Sequence, residues 1–332
     1  SFGTGNLLSD LLQYVEGGVQ CRLILIGDPA QLPPVRLEVS PALDKKVLES
    51  FGYSIRDYTL TDIVRHQQDS GILVNATFIR DHITAENNSI PALSLNGYAD
   101  FQRLGGADLL ETISNSYDQY GEEDTIIVTR SNKRANRFNA GVRGQILWRE
   151  EQISKGDLLM VVKNNYFWKD EAQRLDFIAN GDIGRIERVI GFEEIYGMKY
   201  ADVEIALIDY DDLVIEAKIL LDVLEVDGPS LPIDDQRELY NRILEDYPEL
   251  TNKKKRVEHM QQDRYFNALQ VKFAYSVTCH KAQGGQWKSV FLDQGYFTED
   301  MMSMDYLRWL YTAFTRATEH LYLVNFSDLF FD

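Results

Sequence analysis

The chain has 332 residues, 44% of them hydrophobic and 26% charged, a balance that excludes disorder and fibrous repeats and leaves room for two or three domains. No apolar run approaches the roughly 20 residues that span a bilayer, and no basic-then-apolar leader opens the chain, so a cytoplasmic protein with no membrane partner is expected. Lys and Arg number 34 against 52 Asp and Glu, a formal net charge of −18, which is the wrong overall sign for a protein wrapped in nucleic acid.

In chain order, Ser1 is followed almost at once by a hydrophobic segment, so the chain is expected to be a piece of a longer polypeptide. The run Cys21-Arg-Leu-Ile-Leu-Ile26, bounded by Gly27-Asp28-Pro29, predicts a buried parallel strand with a loop at its carboxyl end, where α/β folds bind ligands. Thr125-Ile-Ile-Val-Thr129 predicts a second such strand. Ser131 or Asn132 then caps an amphipathic helix with Lys133, Arg134 and Arg137 on one face and Ala135, Phe138 and Val142 on another. From about 156 to 225, short runs of Val, Ile and Leu without helical period predict a small barrel, with Asn180-Gly181 as a type I′ hairpin turn. Residues 229–262 are charged and helix-forming, and the basic run at 253–256 reads as a solvated helix face. Residues 290–292 and 320–324 repeat the strand pattern around a helix near 305–316. The fold class is α/β. Cys21 and Cys279 show no metal-ligand rhythm and read as reduced thiols.

Charge is unevenly distributed. Residues 125–149 hold six basic side chains (Arg130, Lys133, Arg134, Arg137, Arg143, Arg149) and no acid, and residues 264–292 hold four (Arg264, Lys272, Lys281, Lys288) and no acid. At the average acid content of the chain the two windows would contain about 8.5 acids. An anion is expected against both.

Four segments carry chemistry: Gly27-Asp-Pro-Ala-Gln-Leu-Pro-Pro-Val35, Leu60-Thr-Asp-Ile-Val-Arg-His66, Tyr275-Ser-Val-Thr-Cys-His-Lys-Ala-Gln-Gly-Gly285 and Trp309-Leu-Tyr-Thr-Ala-Phe-Thr-Arg-Ala317. In order and spacing they resemble motifs III, IV, V and VI of superfamily 1 DNA helicases, most closely the RecD-like and Dda-like branch, also described as exodeoxyribonuclease V alpha-subunit-like. The resemblance covers nearly the whole chain. It implies RecA-like motor domains of the P-loop NTPase type, with a parallel sheet, a small SH3-like β-barrel insertion and a helical insertion. On that basis residues 1–95 are the remnant of the first motor domain and residues 96–150 and 266–332 form the second. The barrel then occupies 151–228 and the charged helical insertion 229–265.

Each motif also has a physical sense. The neutral amide of Gln31 can hydrogen-bond to a γ-phosphate and an attacking water without adding charge; a turn residue held by Pro29, Pro33 and Pro34 is the alternative. Arg65 and Arg316 resemble the pair of guanidinium groups that stabilise charge on the transferring phosphoryl group. Asp28, Gly284, Gly285 and Gln286 fall at nucleotide-contacting positions, the glycines allowing close backbone approach, although Gln286 stands where many relatives carry Glu. Thr278, His280 and Lys281, with Thr129, Arg130, Asn132, Lys133, Arg134 and Arg137, are the expected contacts to strand phosphates.

No Gly-x-x-x-x-Gly-Lys-Ser/Thr occurs, and the single Asp-Glu pair, Asp170-Glu171, follows Tyr166-Phe-Trp-Lys169 rather than an apolar strand. The expectation is therefore a C-terminal fragment of an ATP-dependent 5′-to-3′ DNA helicase, cut just after the Walker B motif. ATP and Mg²⁺ would serve the intact parent, and the fragment would bind neither tightly nor be active alone. Single-stranded DNA and a duplex junction are the expected partners. Rival readings are an RNA helicase of the same superfamily and a non-catalytic adaptor that docks a nuclease or a replication or repair protein.

Overall fold

The computed structural model describes residues 6–35, 37–60, 70–169 and 175–331. Its helices are α1 (Leu7–Glu16), α2 (Lys45–Ser50), α3 (Gly71–Thr84), α4 (Leu109–Tyr120), α5 (Asn132–Gly141), α6 (Asp222–Glu225), α7 (Ile233–Glu245), α8 (Lys253–Gln262), α9 (Cys279–Ala282) and α10 (Met304–Phe314). Its strands are β1 (Phe101–Leu104), β2 (Thr125–Thr129), β3 (Leu158–Val161), β4 (Ile183–Ile195), β5 (Met198–Leu207), β6 (Leu213–Leu220), β7 (Leu269–Phe273), β8 (Ser276–Thr278), β9 (Trp287–Asp293) and β10 (Ala317–Val324). The contacts divide these into two units, one of residues 1–100, 297–315 and 328–332, the other of residues 101–296 and 316–327.

In the first unit α3 packs against α10. The Asp100 carboxylate accepts from the Ser70 hydroxyl at 2.6 Å and from the Gly71 amide at 2.8 Å. It thereby satisfies open donors at the α3 N-terminus, where the helix dipole favours negative charge. The strand expected over 21–26 does not form, and Ile24 and Ile26 are 80% and 90% exposed. The physical reason is pairing. A parallel strand needs neighbours for its N–H and C=O groups, and this unit has no β-strand among its described residues.

The second unit contains a parallel sheet of order β1-β10-β9-β2-β8. Register is set by pairs such as Ile126↔Val290 and Thr129↔Thr278. All five residues of β2 are buried, which explains why it reads as a continuous apolar run rather than an alternation. Ser131 is the N-cap of α5, its hydroxyl accepting from the Arg134 amide at 3.3 Å.

The barrel closes in the order β3-β4-β5-β6-β7 around Leu159, Ile186, Val203, Ile205, Ile219 and Leu269. Four strands come from the predicted stretch. The fifth, β7, arrives only after α7 and α8, and pairs parallel to β6 through Ile219↔Leu269. The hairpin turn also differs from expectation. At Asn180-Gly181 only the glycine has positive φ, whereas Tyr196 (φ 56°) and Gly197 (φ 71°) both do and join β4 to β5, as a type I′ turn requires.

Candidate functional site

The loop after residue 27 lies in the first unit. Its turn is closed by the Gln31 amide donating to the Asp28 carbonyl at 3.1 Å. The Asp28 carboxylate accepts from the Ala30 amide at 3.0 Å and the Tyr311 hydroxyl at 2.8 Å, with Arg80 Nη2 at 3.7 Å. Asp28, expected at a nucleotide position, is thus occupied by protein partners. Gln31 is half-buried, and its side chain makes no hydrogen bond among the described residues. Burial, reinforced by Asp28, pushes the Tyr311 hydroxyl up to about 12.

In the second unit β2 and β8 are parallel neighbours, so their carboxyl ends emerge side by side and deliver α5 and α9 to one edge of the sheet. The Thr129 hydroxyl there is buried and donates to the Ser131 carbonyl at 3.1 Å, while Thr278 is buried beside it. Arg130, Lys133, Arg137 and His280 are exposed, and Asn132 is half-buried. The side chains of Lys133, Arg137 and His280 have no hydrogen-bond or ion-pair partner among the described residues. Lys281 donates to the Asn180 side-chain oxygen, and burial lowers its pKa. Gly284 has φ +94°, and a Cβ on Gly285 would lie 2.4 Å from the Trp287 ring. Arg316 is 6% exposed and donates through Nη1 to the Gly285 carbonyl at 2.9 Å; Gln286 is exposed.

The two acid-free windows do not behave as one anion surface. Arg134 holds the buried Asp293, donating through Nη2 at 2.6 Å and through Nε. Arg143 and Arg149 converge on the buried Asp157 at 2.9 and 3.2 Å, joined by the Tyr275 hydroxyl at 3.0 Å. Arg264 pairs with Asp202 at 2.7 Å and Lys288 with Asp124 at 2.8 Å. Excluding acid along the sequence does not exclude it in space, because folding brings carboxylates from elsewhere. Sequence reasoning also missed Arg80, Tyr311 and Thr312; the last two lie inside the fourth motif segment, but nothing in the pattern marks Arg80.

Arg65 and the Asp170-Glu171 pair lie outside the described residues. No group of three metal-ligating side chains occurs among the described residues, and the carboxylate next to Gln31 is already bonded. No helix among them is long and apolar enough to cross a membrane.

No curated protein matches the chain. Among solved structures it is similar to Pif1 helicase from Bacteroides in complex with ADP-AlF3 and ssDNA, with 12% identity over 92% of this chain and 63% of that one and a TM-score of 0.43. It is also similar to Pif1 helicase from Candida albicans, with 16% identity, 92% and 63% coverage and a TM-score of 0.38. The chain thus spans less than two thirds of either. Residues 273–324, the stretch that holds Thr278, His280, Gly285 and Arg316, match the UvrD-like helicase C-terminal domain.

Proposed function

We propose that the chain is the C-terminal part of an ATP-dependent 5′-to-3′ DNA helicase of the RecD-like type. Residues 1–95 would belong to a first RecA-like motor domain and residues 96–150 and 266–332 to the second, except that β7 closes the barrel and residues 297–315 and 328–332 group with the first unit; the barrel would be SH3-like. The observation that carries this reading lies in the segment matching the helicase domain: motif V and the motif VI arginine touch there, Arg316 on the Gly285 carbonyl. The exposed apolar residues at 24 and 26 fit a strand completed by sheet from a longer polypeptide. Gln31, Arg65 and Arg316 would couple phosphoryl transfer to motor-domain position. Thr278, His280 and the exposed side of α5 would hold strand phosphates.

The test is nucleotide hydrolysis with and without single-stranded DNA. This chain alone should not turn over ATP, because sensor and arginine groups cannot replace a phosphate-binding loop and a Mg²⁺ carboxylate. In a longer polypeptide that supplies both, Arg316→Ala should lower kcat about 100-fold or more, with strand affinity within about twofold. DNA-stimulated turnover by the chain alone, or loss of DNA affinity with kcat intact, would overturn the reading. Strand binding without hydrolysis in the longer polypeptide would favour the adaptor instead.

A further inference from the structure

The loop presenting Gln31 is fastened at three points to a single helix, α10. Tyr311 donates to Asp28 Oδ2 at 2.8 Å, the Leu32 amide donates to Thr312 Oγ1 at 2.8 Å, and Arg308 Nη1 donates to the Glu38 carbonyl at 2.8 Å. A fourth restraint comes from α3. Arg80 Nη1 lies 3.4 Å from the Tyr311 hydroxyl and Nη2 lies 3.7 Å from Asp28 Oδ1, the oxygen that also accepts from the Ala30 amide. The carboxylate therefore closes the turn from within while Tyr311 and Arg80 hold it from without. Gln31 itself has no side-chain hydrogen bond among the described residues, so its direction follows from how firmly that turn is held.

We infer that Tyr311 and Arg80 are positioning residues: they lock the Asp28 turn so that the Gln31 amide is aimed before a phosphate oxygen arrives, and they tie that setting to α10. The inference rests on the helicase reading above. A hydroxyl-to-carboxylate bond is among the stronger hydrogen bonds, because one partner is ionised. The Tyr311 hydroxyl is protonated, and so a donor, throughout the physiological range, and burial only raises its pKa further. The helix ends at Phe314, two residues before Arg316, so one stretch of chain both holds the sensor loop and leads into the second phosphate-contacting candidate.

The test has two arms that separate the latch from the helicase reading. In the first, amide hydrogen exchange is followed on the 332-residue chain. Tyr311→Phe keeps the ring and removes the donor, and should speed exchange at Ala30 and Leu32 about tenfold, with β2 and β9 amides unchanged. Thr312→Val should act on Leu32 and leave Ala30 alone. Unchanged exchange at Ala30 and Leu32 in Tyr311→Phe would overturn the latch. The second arm measures hydrolysis in the longer polypeptide. There Tyr311→Phe should lower kcat about tenfold with KM for ATP within about twofold, whereas a merely structural role would leave kcat intact. Faster exchange with unchanged kcat would overturn the positioning role. An unsubstituted polypeptide that hydrolyses nothing would overturn the helicase reading and leave the exchange result standing.

Discussion

Gly285 shows how closely single atoms are specified around motif V. A methyl group there would sit 2.4 Å from the Trp287 ring, closer than any real contact, and the ring is buried and cannot swing away freely. Gly285→Ala should therefore destabilise the fold by about 1–3 kcal/mol through overpacking. Gly144→Ala, where a Cβ meets nothing within 4 Å, should be neutral or slightly stabilising. Urea denaturation of the two variants checks the contrast, and equal midpoints would refute it. At this scale the sequence yields residue types but not their partners. Thr278, His280 and the glycines could be singled out because the motif places them within a few positions of one another. Asp293 could not be matched to Arg134, nor Asp202 to Arg264, since they stand 159 and 62 residues apart and no local pattern records such pairs.

Elements were legible where the chain carries everything they need. Strand β2 has β8 and β9 beside it, and its apolar run becomes the strand it predicts. The equally apolar 21–26 run lacks neighbours among the described residues and stays irregular. Periodicity reports a preference for a strand; pairing decides whether one forms. The barrel adds the converse case, because its closing strand β7 is separated from β6 by the whole helical excursion and brings Lys272 half-buried against the barrel. Burial pushes the Lys272 ammonium down to about 8 against the Asp227 charge, although it also donates to the Val226 and Leu224 carbonyls, whereas an unfolded lysine titrates near about 10.4. Between those values the unfolded state binds more protons, so stability rises with pH there, and below about 8 the penalty is fully present. Lys272→Met removes the titrating group, so its stability relative to the parent should fall as pH rises from 7 to 10. Denaturant midpoints of both proteins across that range provide the measurement, and parallel curves would show that Lys272 is not the titrating group.

For the molecule as a whole, the net charge of −18 and a phosphate-binding role can be reconciled only if positive charge is local. Arg134, Arg143, Arg149, Arg264 and Lys288 are held by carboxylates, and the exposed Lys133 and Arg137, without a partner among the described residues, stand at the edge where β2 and β8 end as cations available to a strand. That makes the expected track narrower than the windows imply. Each phosphate neutralised on a single strand releases counterions and contributes about −0.7 to the slope of log K against log salt. With both cations engaged, Lys133→Ala with Arg137→Ala should weaken oligonucleotide binding and flatten the slope by about 1.4, twice that unit. Arg134→Ala should instead register mainly as lost stability, because it uncovers the buried Asp293. The exposed Lys253, Lys254 and Lys255 on α8 serve as the control, since their replacement by Ala removes more charge than the double variant yet touches no part of the sheet edge. A salt titration of a labelled oligonucleotide against the parent and these variants separates the cases. If the α8 variant flattened the slope as much as the Lys133 and Arg137 variant, binding would follow general charge, and the edge formed by β2 and β8 would not be the strand site.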